Sequence, residues 1–366
     1  MIFIIGAGLS GLAIGYKLAF SGFKVRIYDF HVRGESSSAA VGMLAPLFEA
    51  KPYEDELFKF MLKSKRKWAN FSNELIKISD LDIEFRENSS LMVANDNDIL
   101  QKLHYKKSFF KRLGYEIEIL NGEETKRMEP NLSPNVHGAI FCKNQDQVNP
   151  VILKKSLKLA FLKLGGEIVS KKIEKLFVKK NKVSILVNGL REKCEKIILS
   201  SGAWSGDILK KSFDISMPVM PIKGVTLTLK NVLKKKIINH NLWFEKIYVA
   251  PRNNGDLVVG ATEDDKGFDT KINLSDVYFL SKNIKDSLPC VEDFELVDFK
   301  VGLRPATYDG LPIIGKIISL SENVIVSFGH YRHGVLLLPS TADLVYEIIK
   351  GGENETIFSP ERFLMK

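Results

Sequence analysis

The chain opens on a short, unbroken apolar run at 2–6 (Ile-Phe-Ile-Ile-Gly), which predicts a buried strand. Over 10–21 the apolar positions shift to helical spacing, with Leu12, Ile14, Leu18 and Ala19 on one side and Gly22 as the stop. Residues 24–29 then alternate as a second strand. Strand, helix and strand in succession predict a parallel sheet and the α/β class. Helical spacing returns over 54–78, around Leu57, Met61, Trp68, Phe71 and Leu75, over 97–113, and over 150–164, where Gly165 and Gly166 end it. Short strands are expected at 167–170, 173–178, 183–188 and 195–200, and antiparallel strands at 217–229, 243–251 and 256–262. The turn at 253–256 joins the last two. An apolar strand at 323–328 and a closing helix at 334–349 complete the pattern.

The blocks of strand and helix are separated by stretches of other character. This predicts a discontinuous, doubly wound, Rossmann-like domain formed by 1–45, 140–215 and 300–366. Residues 46–139 and 216–299 are expected to form a second, α+β domain on an antiparallel sheet. A length of 366 residues suits two interleaved domains. No apolar run reaches the roughly 18–20 residues of a membrane helix. The apolar start lacks a basic leader and runs into glycines with another use, so it is not expected to be a signal-peptide core. Cys142, Cys194 and Cys290 form no closely spaced pair, which points to a reducing, cytoplasmic setting and to no metal site. The net charge of +9 comes from scattered lysines that suit ordinary helix surfaces, so neither nucleic acid nor membrane is expected as a partner. Homo-oligomerisation stays open.

Four segments carry candidate chemistry. In Gly6-Ala7-Gly8-Leu9-Ser10-Gly11, Gly6 permits the turn out of the strand, Gly8 lets a pyrophosphate approach, and Gly11 lets the helix pack on the sheet. Asp29 ends the second strand where an acid accepts bonds from ribose hydroxyls. This is a dinucleotide signature, and it does not separate FAD from NAD. The second segment, 36–46 (Ser-Ser-Ser-Ala-Ala-Val-Gly-Met-Leu-Ala-Pro), offers small residues against which a flat ring could lie. The third, 302–315, contains Arg304; the fourth, 327–334, contains His330, Arg332 and His333, and its helix start presents backbone N–H groups. Lysines outnumber arginines nearly four to one, yet Arg252, Arg304 and Arg332 all sit in apolar or glycine-rich motifs. A planar fork that grips a carboxylate at two points is something lysine cannot supply, and this singles out Arg304. Arg252 reads as structural, and the two histidines read as loop residues rather than bases.

In this order, and spread over nearly the whole chain, the four segments resemble the D-amino-acid oxidase family of flavoenzymes, and within it the glycine oxidases of thiamine thiazole synthesis. The specific parts are Ser-Ala-Ala-x-Gly-Met-Leu-Ala-Pro at 38–46, Gln147-Val148-Asn149-Pro150, and Gly329-His330-Tyr331-Arg332. The resemblance implies non-covalent FAD contacted by Gly6, Gly8, Gly11, Asp29, Ser37, Ser38, Ala40, Gly42, Met43, Gly202, Arg304, His330, Arg332, His333, Gly334 and Val335. It implies a substrate carboxylate held by Arg304 and Tyr248, with Arg332 near flavin and pocket; these three are the candidate catalytic residues. The implied reaction moves hydride from the α-carbon of glycine or another small amino acid to the flavin, giving an imine, with molecular oxygen reduced to hydrogen peroxide. Alternatives are a D-amino-acid or sarcosine oxidase, a dehydrogenase of the same superfamily, or a tRNA-modifying flavoenzyme. Asp29, Val41 and His333 depart from the usual family residues, and Cys290 precedes the position from which related enzymes bond their flavin covalently.

Overall fold

Ile2–Ile5 forms the fully buried centre of a six-stranded sheet, paired in parallel with Val25–Asp29 on one side and Lys196–Leu199 on the other. The computed structural model describes residues 1–232, 235–352 and 356–364, so the expected last segment, 300–366, is described except at 353–355 and 365–366. Glu167–Ser170 and Val324–Phe328 extend the parallel sheet, and Ile313–Lys316 closes one edge antiparallel. Side chains of the central strand alternate between two cores. Ile2 and Ile4 pack with the helices Leu9–Phe20, Pro150–Lys163 and Leu338–Ile349. Phe3 and Ile5 face Leu176, Val183 and Ile185 of a three-stranded antiparallel sheet, 173–194, that covers the other side. Helices therefore cover one face of the main sheet, and this small sheet takes most of the other.

An eight-stranded sheet forms the rest of the frame. Its order is Glu295–Thr307, Val219–Lys230, Leu257–Gly260, Tyr248–Pro251, Asn241–Trp243, Ser90–Ala94, Gly138–Cys142 and Ile119–Asn121. All neighbours are antiparallel except Asn241–Trp243 with Ser90–Ala94. Its first two strands are long and pair from Val219 with Thr307 to Lys230 with Glu295. The end of Glu295–Thr307 is tied to the loop after Asp29: Leu303 N–H donates to Gly34 O at 2.8 Å, and Ser36 Oγ donates to Leu303 O at 2.7 Å.

Three local expectations are corrected. The stretch 243–251 is not one strand but two, Asn241–Trp243 and Tyr248–Pro251, reversing at Phe244, whose N–H donates to Ile247 O at 2.8 Å. Leu190–Cys194 is an additional strand, formed by pairing with Lys182–Val187 despite a polar sequence. The closing α-helix starts at Leu338 rather than 334, with Pro339 in its first turn and a 3-10 turn at Tyr331–His333 before it. The Leu336 carbonyl in that connection is satisfied by Ser64 Oγ at 2.8 Å and Trp68 Nε1 at 3.0 Å, both from the long helix Asp55–Ser79.

Candidate active site

A cavity of about 520 Å³ opens where the two sheets meet. At one end the chain leaves Ile2–Ile5 through Gly6 at φ +107, where a Cβ would stand 2.5 Å from Ser200 O. A Cβ on Gly11 would stand 2.0 Å from Gly6 O, so Gly11 serves the packing of turn on helix and does not line the cavity. Gly8 differs from both: its Cβ would meet nothing nearer than Ser37 Oγ at 3.6 Å. Gly8 is also the N-cap of Leu9–Phe20, with no side-chain cap of its own and no acid in the first turn. The helix start thus faces the cavity with backbone donors, one of which, Leu9 N–H, reaches Ser37 Oγ at 3.1 Å. Asp29 accepts from Ala7 N–H with one oxygen at 2.8 Å, leaving the other for a ligand. Glu35 also lines this end, neutralised by Lys154 Nζ at 2.6 Å from both its oxygens.

The middle of the cavity is walled by residues 39–43. Gly42, at φ +93, lies so close to Val148 that a Cβ would stand 2.1 Å from its carbonyl oxygen. Val148 N–H donates to Gly42 O at 2.9 Å, and Arg252 donates to Val41 O at 2.8 Å and to Val148 O at 3.3 Å. The Gln147–Pro150 stretch and Arg252 therefore pin the loop in place. Ala40, Gly42 and Met43 line the cavity, as do Gly202, His330, Gly334 and Val335. Ser38 does not: its hydroxyl donates to Glu35 O at 2.7 Å, and the residue borders a separate cleft.

The other end holds Tyr248, Arg304 and Arg332. The Arg304 guanidinium lies over Gly224, where a Cβ would stand 2.4 Å from both terminal nitrogens. Its Nη1 donates to Thr262 O at 3.1 Å, and it has no carboxylate partner among the described residues. Tyr248 lies over Gly260 in the same manner, with a Cβ there 2.6 Å from the ring and 3.1 Å from the hydroxyl oxygen. Its ring stands 5.5 Å from that of Trp243. Arg332, by contrast, is engaged: Nε is 3.1 Å from Glu49 and Nη1 is 3.9 Å from Glu263. Burial alone would raise the Glu49 carboxyl, but Arg332, His333, Lys106 and Lys51 hold it below the usual range. Sequence reading missed Glu49, Glu263, Gly224 and Gly260. The usable signal for the glycines was their isolation inside strands, which marks a close approach.

His333 lies outside the cavity lining, buried with Nδ1 3.8 Å from Glu49, and His330 Nε2 lies 3.2 Å from Thr341 Oγ1. Burial pushes both imidazoles down to about 4 from an ordinary 6.5. The unfolded chain binds more protons between those values, so their contribution is complete above about pH 6.5 and is lost as pH falls toward 4. Melting temperature is expected to drop over that window, and His333→Asn to flatten the drop. A slope indifferent to the substitution would remove His333 as its source.

Residues 1–348 match the family model described as FAD dependent oxidoreductase, DAO. The chain belongs to this family, and the protein is an FAD-dependent oxidoreductase, as the four sequence segments implied. It is 29% identical over 360 residues to glycine oxidase of Bacillus subtilis (strain 168), covering 96% of this chain and 93% of the relative. It is 28% identical over 363 residues to the bifunctional protein ThiO/ThiG of Trichormus variabilis, covering 98% of this chain and 54% of that one. The crystal structure of glycine oxidase from Geobacillus kaustophilus superposes with a TM-score of 0.90 at 26% identity, covering 98% of this chain and 97% of that one. The residues of the cavity fit FAD: an open cradle at Gly8, a free carboxylate oxygen on Asp29, and a loop at 40–43 without bulky side chains beyond Met43.

Proposed function

We propose that the protein oxidises glycine or another small amino acid at the α-carbon to an imine, with molecular oxygen as final acceptor. The observation that carries this is an asymmetry between two arginines of one cavity: among the described residues Arg332 is paired with carboxylates, and Arg304 is not. A guanidinium without a carboxylate partner among the described residues, in one cavity with a tyrosine hydroxyl and a glycine turn at a helix start, suits a substrate carboxylate. Gly6, Gly8, Asp29, Ser37, Gly42 and Gly202 would hold FAD, and Gly11 would support the turn without contact. None of Cys142, Cys194 and Cys290 lines the cavity, which supports non-covalent binding. FAD, when bound, supplies the hydride acceptor. Arg304 and Tyr248 fix the carboxylate at two points, so that the α-hydrogen is held in one direction. The arrangement requires no side-chain base when the amine enters deprotonated, and neither His330 nor His333 is offered as one.

The division into a cofactor domain (1–45, 140–215, 300–366) and a substrate domain (46–139, 216–299) belongs to the same reading; the two sheets support it in outline, but the bounds at 140 and 300 cut Gly138–Cys142 and Glu295–Thr307, which belong to the eight-stranded sheet. On the resemblance to glycine oxidases, the imine would feed thiazole assembly. Among the described residues no helix is long and apolar enough to cross a membrane. Anaerobic bleaching of the flavin by glycine, sarcosine, D-alanine and simple amines tests the reading. Bleaching by amino acids and not by the corresponding amines is expected; equal bleaching by the amines would refute carboxylate recognition.

A further inference from the structure

Glu263 is assigned no role by the chemistry above, yet it stands one residue from the Arg304 contact, since Thr262 supplies the carbonyl that Arg304 Nη1 reaches. Its two oxygens face two residues of the same turn. Oε1 accepts from the Tyr331 hydroxyl at 2.6 Å, and Oε2 lies 3.9 Å from Arg332 Nη1. Tyr331 lines the cavity from a left-handed backbone position, φ +48, immediately before Arg332. Glu49 takes the other side of the Arg332 guanidinium, with Lys106 and Lys51 acting on Glu49 from behind. Tyr248, Arg304, Tyr331 and Arg332 all line the cavity, and both arginines lie near enough to Tyr331 to favour its ionised form. Glu263 is the more exposed of the two carboxylates, 55% against 15% for Glu49. It does not itself line the cavity, and it meets Arg332 Nη1 from the solvent side, next to Tyr331, which does.

We propose that Glu263 sets the charge selectivity of this end of the pocket: by facing Arg332 Nη1 it leaves Arg304, among the described residues beside Tyr331, as the cation open to a carboxylate, and the site accepts amino acids with one carboxylate and turns away those with a second. This rests on the proposed amino-acid oxidation. Glu263 acts through Arg332 and the Tyr331 hydroxyl and is a positioning residue. Without its charge, Arg332 Nη1 becomes a second carboxylate site, and a like-charge barrier at the rim disappears.

Sarcosine and iminodiacetate are N-substituted glycines that differ by one carboxylate. In the FAD-loaded enzyme, Glu263→Gln should raise the ratio of kcat/KM for iminodiacetate over sarcosine at least tenfold, mainly through KM, and Glu263→Asp should stay near wild type. A merely structural role would lower both substrates together and leave the ratio unchanged; that result, in Glu263→Gln and again in Glu263→Met, would overturn the proposal. The wild-type holoenzyme gives a test independent of folding and of turnover. Acetate should perturb the flavin spectrum at a concentration at least tenfold below that needed for malonate, and equal or tighter binding of malonate would overturn the proposal. A protein whose flavin no amino acid bleaches, but which still prefers acetate to malonate, would refute the amino-acid reaction and leave the selectivity standing.

Discussion

Arg304→Lys is expected to keep its flavin and lose about 100-fold in kcat/KM on its amino-acid substrate, the order that misplacement by one ångström costs. Lysine keeps the charge and loses the planar two-point grip. A carboxylate held at one point rotates, so the loss should appear in kcat as well as in KM. Tyr248→Phe should be milder, because it removes one hydrogen bond and leaves the cation. Gly224→Ala offers an independent route to the same end: its methyl would take the space 2.4 Å from the guanidinium nitrogens and displace the fork without altering its chemistry. Flavin content measured beside steady-state kinetics separates this outcome from simple misfolding. Kinetics like wild type in the flavin-loaded Arg304→Lys protein would remove the clamp.

Gly8→Val should fold and bind no FAD. The protein itself has room for a Cβ there, since the nearest atom to one is Ser37 Oγ at 3.6 Å. The space it fills is the space a pyrophosphate needs above the helix start. Asp29→Ala should only weaken binding, because on the proposed role it would remove ribose hydrogen bonds worth about 1.5–3 kcal/mol and leave the turn at Gly8 intact. Titration of the apoproteins with FAD reads both effects. Normal flavin content in Gly8→Val would move the phosphate site elsewhere.

The opening strand, turn, helix and acid were legible because each constraint is local: a turn needs its glycine, and the spacing to Asp29 follows from one helix and one strand. Composition singled out Arg304, as an arginine where this chain otherwise uses lysine, and the structure places it on the cavity wall. The partners of Arg332 were not. Glu49 and Glu263 lie far from it in sequence, and only the meeting of the two sheets brings them to one guanidinium. Ser38 and His333 were grouped with their motifs, but in tight 3-10 turns adjacent side chains diverge. Ser37 faces the cavity while Ser38 turns back on Glu35, and Arg332 faces it while His333 packs inward. Leu190–Cys194 shows no apolar alternation, so only its pairing with a neighbour makes it a strand.

The order of strands also bears on how such a protein can change over generations. The chain begins in the six-stranded sheet, passes to the eight-stranded one, returns, passes over again with Val219–Lys230, and comes back at Ile313–Lys316. No single cut in the gene would separate the two sheets, and no single insertion would graft either onto a new partner. The arginine fork stands on Glu295–Thr307, and the residue next to it, Leu303, is bonded to the loop beyond Asp29. Shuffling of whole modules is thereby closed off, and new substrates must be reached one side chain at a time, by exchanges on the wall that faces a fixed cofactor.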